Sequence, residues 1–105
     1  MKIYIIRPSL KIVETFELKN GLEEIKKIIG FDSIVNDEID NKGNMLVFDE
    51  NCFIRDNKNA VRFQIGGLAP VAGVGVLVRF LDAKGISLAE PSFSVEYIQP
   101  LVKFL

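Results

Sequence analysis

The sequence predicts a small α+β domain: a mainly antiparallel sheet with one short helix packed across a face. Three features carry that prediction. Short runs rich in β-branched and aromatic residues recur between polar turns, as strands do. A single segment, Asn20 to Gly30, places apolar residues at helical spacing between a capping residue and a glycine stop. No repeat, linker or low-complexity tract divides the 105 residues, so positions 1–105 read as one domain.

In chain order, Ile3-Tyr4-Ile5-Ile6 is apolar without alternation, which suits a strand covered on both faces. The turn Pro8-Ser9-Leu10-Lys11 leads into a second strand, where Ile12, Phe16 and Leu18 share a face and complete a hairpin. Asn20 is placed to cap the helix, with Glu23 as the carboxylate that reaches back and also pairs with Lys27. Leu22, Ile25, Ile28 and Ile29 form its apolar stripe and Gly30 ends it. About nine residues do not make a helix that stands alone in water, so it must lie on the sheet.

Ser33 to Ile39 and Asn44 to Asp49 flank Asp40-Asn41-Lys42-Gly43, a hairpin turn, and the unalternating Met45-Leu46-Val47-Phe48 predicts a central strand. Asp49-Glu50-Asn51 and Asp56-Asn57-Lys58-Asn59 read as turns around the short run Cys52 to Arg55. Ala60 to Ile65 alternates, with Val61, Phe63 and Ile65 on one side, and Gly66-Gly67 closes it. Val74, Val76, Val78 and Phe80 mark the inner face of a long strand that Asp82-Ala83-Lys84-Gly85 ends. The segment from Ser92 to Leu105 is helix or strand. Ser92 to Ile98 alternates, while Phe93, Tyr97, Leu101 and Phe104 also fit a helical stripe interrupted by Pro100. The expected core is Ile3, Ile5, Phe16, Leu22, Ile25, Ile28, Val47, Phe63, Val76 and Val78.

Composition narrows function by subtraction. With no His there is no histidine triad, imidazole metal site or imidazole pH switch, and one Cys forms neither an internal disulfide nor a Cys-rich zinc site. Cys52 follows acidic residues that disfavour a thiolate, so it reads as structural. A net charge of -1 argues against nucleic acid and against an anionic membrane surface. Met1 to Pro8 lacks the apolar length of a signal peptide, and the uncharged stretch Phe63 to Val78 is too short and too rich in glycine to span a bilayer. The chain reads as cytoplasmic, with no membrane partner and no cofactor.

The candidate sites are correspondingly few. Glu38 to Gly43 superficially resembles a calcium loop, but Lys42 falls at a ligand position, and a hairpin turn accounts for the same residues. Gly73 and Gly75 sit inside an apolar run with no Lys-Ser/Thr after them, so they mark a flat patch where a helix or another backbone comes close, with a ligand pocket beside them as the alternative. Charge is unevenly spread: Asp32 to Asp56 holds seven acids and two bases, a balance of -5. Five of those acids, Asp37, Glu38, Asp40, Asp49 and Glu50, are the candidate partner-binding residues, on turns and a strand edge that a basic partner would contact.

Several segments together resemble a family of small uncharacterised phage- and plasmid-encoded domains. They are Leu22 to Gly30, Leu46-Val47-Phe48-Asp49-Glu50-Asn51, Asn59-Ala60, and Pro70 to Val78 followed by Asp82 and Ser87-Leu88. The resemblance implies a mobile-element origin, carries no catalytic residue, and implies a helix starting near Ser94. The expected function is a non-enzymatic protein-binding module of a phage or mobile element, acting on a host protein. The alternatives are a small-ligand or nucleotide-binding protein, and a self-associating structural module that forms a homodimer through an exposed strand edge.

Overall fold

The structure, a computed structural model, describes residues 1–55 and 61–105. The turn expected at 56–59, the Asn59-Ala60 element and the predicted strand start at Ala60 lie outside the described residues. Along the chain come β1 (Lys2–Arg7), β2 (Ile12–Glu17), helix α1 (Gly21–Ile29), β3 (Ile34–Glu38), β4 (Asn44–Asp49) and a helical turn α2 (Cys52–Arg55). Then follow β5 (Arg62–Ile65), β6 (Val71–Ala72), β7 (Gly75–Phe80), β8 (Leu88–Ala89), a helical turn α3 (Val95–Ile98), a 3-10 turn Gln99–Leu101 and β9 (Val102–Phe104). The α+β class holds, and its sheets are antiparallel throughout.

The central sheet runs β2-β1-β7-β4-β3, with β8 beside the end of β7. Both of its faces are covered, which is why β1, β4 and β7 show no clean alternation. On one face Ile3, Ile5, Val47, Val76 and Val78 pack with Leu18 and with Ile25 and Ile29 of α1. On the other, Tyr4, Ile6, Leu46 and Leu77 pack against a second sheet, β6-β5-β9, through Phe63, Ile65, Val71 and Val102, with Ile98 of α3 beside them. The result is three layers: a helix, a five-strand sheet carrying the short β8, and a smaller sheet with a helical turn.

The expected core is recovered in part. Ile3, Ile5, Ile25, Val47, Val76 and Val78 are buried beneath α1, while Phe16, Leu22 and Ile28 border that core half-buried. Phe63 is fully buried, but on the opposite face. The predicted inner face of the long strand is right for Val76, Val78 and Phe80; Val74 precedes the strand, which begins at Gly75.

Three local expectations are corrected. The carboxylate reaching back over the start of α1 is Glu24, which accepts from the backbone N–H groups of Lys19 at 2.6 Å and Asn20 at 3.0 Å; the Asn20 side chain makes no cap. Those bonds hold the Glu24 carboxyl below its ordinary range. Glu23 pairs with Lys26, one turn along, rather than with Lys27. Gly30 ends the helix in the left-handed conformation as expected, its N–H on the carbonyl of Lys26. The Cys52 run is a helical turn with Cys52 buried. The C-terminal segment is both elements in succession: Ser94 caps α3 by accepting from Tyr97 N–H at 3.1 Å, Pro100 falls in the 3-10 turn where no interior N–H is needed, and Val102 to Phe104 then pair with β5.

Gly75 joins the layers. A Cβ there would stand 2.6 Å from Phe63 Cζ and 2.9 Å from Leu46 Cδ1, so the ring of Phe63 reaches the central sheet only because residue 75 lacks a side chain. The close approach expected of the glycine pair is corrected: it occurs at Gly75 alone, and what approaches is the Phe63 side chain of the second sheet rather than a helix or a backbone. Gly75→Ala should lower stability in urea by about 1–3 kcal/mol through overpacking. Adding Phe63→Leu should cost less in that background than in the wild type, a non-additivity that a double-mutant cycle measures directly.

Candidate functional site

β3 is an edge of the central sheet, paired with β4 alone. Backbone bonds from Glu50 N–H to the Ser33 carbonyl and from Ile39 N–H to the Asn44 carbonyl fix the hairpin register at both ends. Bonded and unbonded pairs alternate in an antiparallel ladder, so Val35 and Asp37 also bond inward. The N–H and C=O groups of Ile34, Asn36 and Glu38 then point away from the sheet, and among the described residues no hydrogen-bond partner meets them. The other edge differs: α3 lies near β2, and Gln99 Nε2 donates to the Val13 carbonyl at 3.4 Å.

The five candidate acids do not form one surface. Asp37 and Glu38 stand on the open edge: Asp37, opposite Leu46, is half-buried on the side of the second sheet, and Glu38, opposite Met45, is exposed on the side of α1. Asp40 is in the turn next to them. Asp49 and Glu50 lie toward the far end of the same hairpin, three to five residues along β4 from the rungs of Asp37 and Glu38, or about 10–17 Å at a rise of ~3.4 Å per residue. Asp49 is only 4 % exposed and accepts from Asn51 N–H at 3.1 Å, which removes it from any docking surface. Glu50 is exposed and accepts from the Ser33 hydroxyl at 2.8 Å, a bond that fastens the start of β3. The structure thus places Asp37, Glu38 and Asp40 toward the turn end of the hairpin, Asp37 and Glu38 on opposite faces of it, and sets Asp49 and Glu50 toward the other end.

Asp40 also holds the turn. One oxygen accepts from Lys42 N–H at 2.9 Å and the other from Asn44 Nδ2 at 2.8 Å. Asn44, fully buried, also donates to the Ser92 hydroxyl at 2.7 Å and accepts from Ser92 N–H at 3.0 Å, tying the β3–β4 turn to the segment before α3. Partial burial pushes the Asp40 carboxyl up, but the hydrogen bonds from Lys42 and Asn44 outweigh it and hold the group below its usual range.

Between this turn and α3 lies a groove of about 360 Å³. Ile39, Leu68, Phe93, Tyr97 and Leu101 line it, with Asp40 the one charged side chain among the lining residues. The Phe93 ring stands 5.7 Å from that of Tyr97 and 6.1 Å from that of Tyr4, whose hydroxyl donates to the Phe93 carbonyl at 2.7 Å. The helical stripe Phe93, Tyr97 and Leu101 was visible in the sequence, but nothing local joined it to Ile39, Asp40 and Leu68, so the wall was not read as part of a site.

A second cleft, about 410 Å³, opens between α1 and β3 over Leu22, Ile34, Val47 and Phe80, with Lys26, Lys84 and Asp32 among its polar lining. Of the pocket expected beside Gly73 and Gly75, the space over Gly75 is filled by Phe63, while Gly73 lies in the bend before β7, bonded through its N–H to the Val61 carbonyl. Among the described residues no helix is long and apolar enough to cross a membrane. No family model, no curated protein and no solved structure matches the chain.

Asn44→Ala should cost about 2–3 kcal/mol, since it strips hydrogen bonds from the Asp40 carboxylate and from Ser92 in a buried place. The Asp40 pKa, followed by NMR, should rise in that variant. Because the folded-state value is depressed, Asp40 contributes stability at pH above the unfolded carboxylate value of about 3.9, and that contribution is lost as pH falls through the lower folded value. Asn44→Ala should shrink this acid-side loss.

Proposed function

We propose that the chain is a non-enzymatic protein-binding module of a phage or other mobile element, and that it captures an extended, basic segment of a host protein as an added strand on β3. The observation that carries the reading is the outward row of main-chain groups at Ile34, Asn36 and Glu38, a template for strand addition. Asp37 and Glu38 set the preference for a cationic segment by placing two carboxylates at that edge. They also oppose self-pairing, since a second copy would bring two more carboxylates to the same seam. Working by binding accords with a composition that has no His and with a Cys52 that is buried.

Asn36→Pro is the discriminating variant. It removes an N–H that β4 does not use, so the fold should survive with its circular dichroism intact, while the added strand loses a hydrogen bond and meets a proline ring. Host proteins retained by the wild-type chain in a pull-down should be lost with Asn36→Pro and weakened by the paired Asp37→Lys and Glu38→Lys changes. Unchanged capture by both variants places the interface elsewhere. A scattering mass that doubles with concentration and returns to the monomer value in Asn36→Pro replaces the host partner with a second copy.

A further inference from the structure

We propose that the groove between the β3–β4 turn and α3 binds a small organic cation, an N-alkylated ammonium. This goes beyond strand capture at β3 and does not depend on it. The lining is apolar and aromatic except for Asp40. An anion is repelled by that carboxylate, and a neutral apolar ligand would take water from it without replacing the lost interaction. A hard metal ion needs several oxygen ligands, which these walls do not supply. A primary ammonium such as that of lysine is compact and strongly hydrated, whereas methyl groups on nitrogen spread the charge and lower the cost of entering an apolar groove.

The aromatic wall fits the same chemistry. Ring centroids 5.7 Å apart and tilted by 39° leave no space for an ammonium between Phe93 and Tyr97, so the two rings act as one wall and a cation rests against it, attracted to the π surface. Asp40 faces the charge from the turn. Its oxygens are already positioned by Lys42 N–H and Asn44 Nδ2, and a carboxylate with about four acceptor sites keeps capacity for a further contact. Lys42 lines an adjoining cleft of about 380 Å³ that shares Asp40, Phe93 and Tyr97 with this groove, so its ammonium competes with the ligand for Asp40. The volume, about 360 Å³, is within the range of small-ligand sites.

The test uses choline as the probe and 3,3-dimethylbutanol, its uncharged isostere, as the control, with binding followed by protein NMR. Choline should shift the ring signals of Phe93 and Tyr97, and the neutral isostere should bind about tenfold more weakly, the order expected when a partly desolvated charge contact and a cation–π contact are both lost. Asp40→Asn should weaken choline by a similar factor. Because that change also touches the turn, Tyr97→Leu gives an independent reading: the residue is 61 % exposed, the fold should be kept, and choline should weaken several-fold while the isostere does not. Equal binding of choline and its isostere, or no shift at Phe93 and Tyr97 with choline at tens of millimolar, overturns the proposal. A blocked lysine peptide that binds more tightly than choline also overturns it, in favour of a polypeptide side chain as the occupant. Asn36→Pro should leave choline binding intact, so loss of strand capture and loss of this site are read separately.

Discussion

The fold depends on burying both faces of one sheet. β1, β7 and β4 carry large apolar residues on each side, and Ile3, Ile5, Ile6, Leu46, Val76 and Leu77 are wholly inaccessible to water. Each such side chain contributes roughly 1.5–3 kcal/mol when removed from solvent, and no single covering layer could collect that from both faces. The helix covers one face, and the small sheet with α3 covers the other. Phe63 resting in the space left by Gly75 is where the second layer comes closest, and the geometry of α3, the β3–β4 turn and the groove between them follows from that placement.

What the sequence made legible follows from how local each signal is. β4 and its turn are readable because the unbroken apolar stretch Met45-Leu46-Val47-Phe48 follows Asp40-Asn41-Lys42-Gly43, and turn chemistry acts over four residues. The helix is readable because Ile25 and Ile29 recur one turn apart and Gly30 stops them. The capping carboxylate was misplaced because Glu23 and Glu24 are adjacent and equivalent in type; only the backbone path at Asn20 decides which of them turns inward.

The second sheet was hidden for a different reason. β6 has two residues, β9 three and β5 four, too few for a period to show, and β5 pairs with β9 across some forty residues of intervening chain. The same gap hid the groove, whose walls come from a turn near residue 40, another near 67 and a helical turn near 97. Acids were legible as types but not as places. The one-dimensional cluster from Asp37 to Glu50 folds into two separate ends of a hairpin, with Asp49 turned into the interior.

The pairing of β1 with β7, and of β5 with β9, has a consequence for biosynthesis. Tyr4 meets Leu77, and Phe63 meets Phe104, so the central sheet waits for residue 77, and the second sheet for residue 104, to leave the ribosome. Until Val102 to Phe104 emerge, the cover over the side of the nascent sheet centred on Tyr4, Ile6 and Leu77 is incomplete, because β5 lacks its β9 partner. Distant pairing of this kind slows folding relative to helical bundles and lengthens the interval in which such a surface is exposed. Chaperones that bind uncovered apolar strands would meet this polypeptide during translation, before β9 is in place.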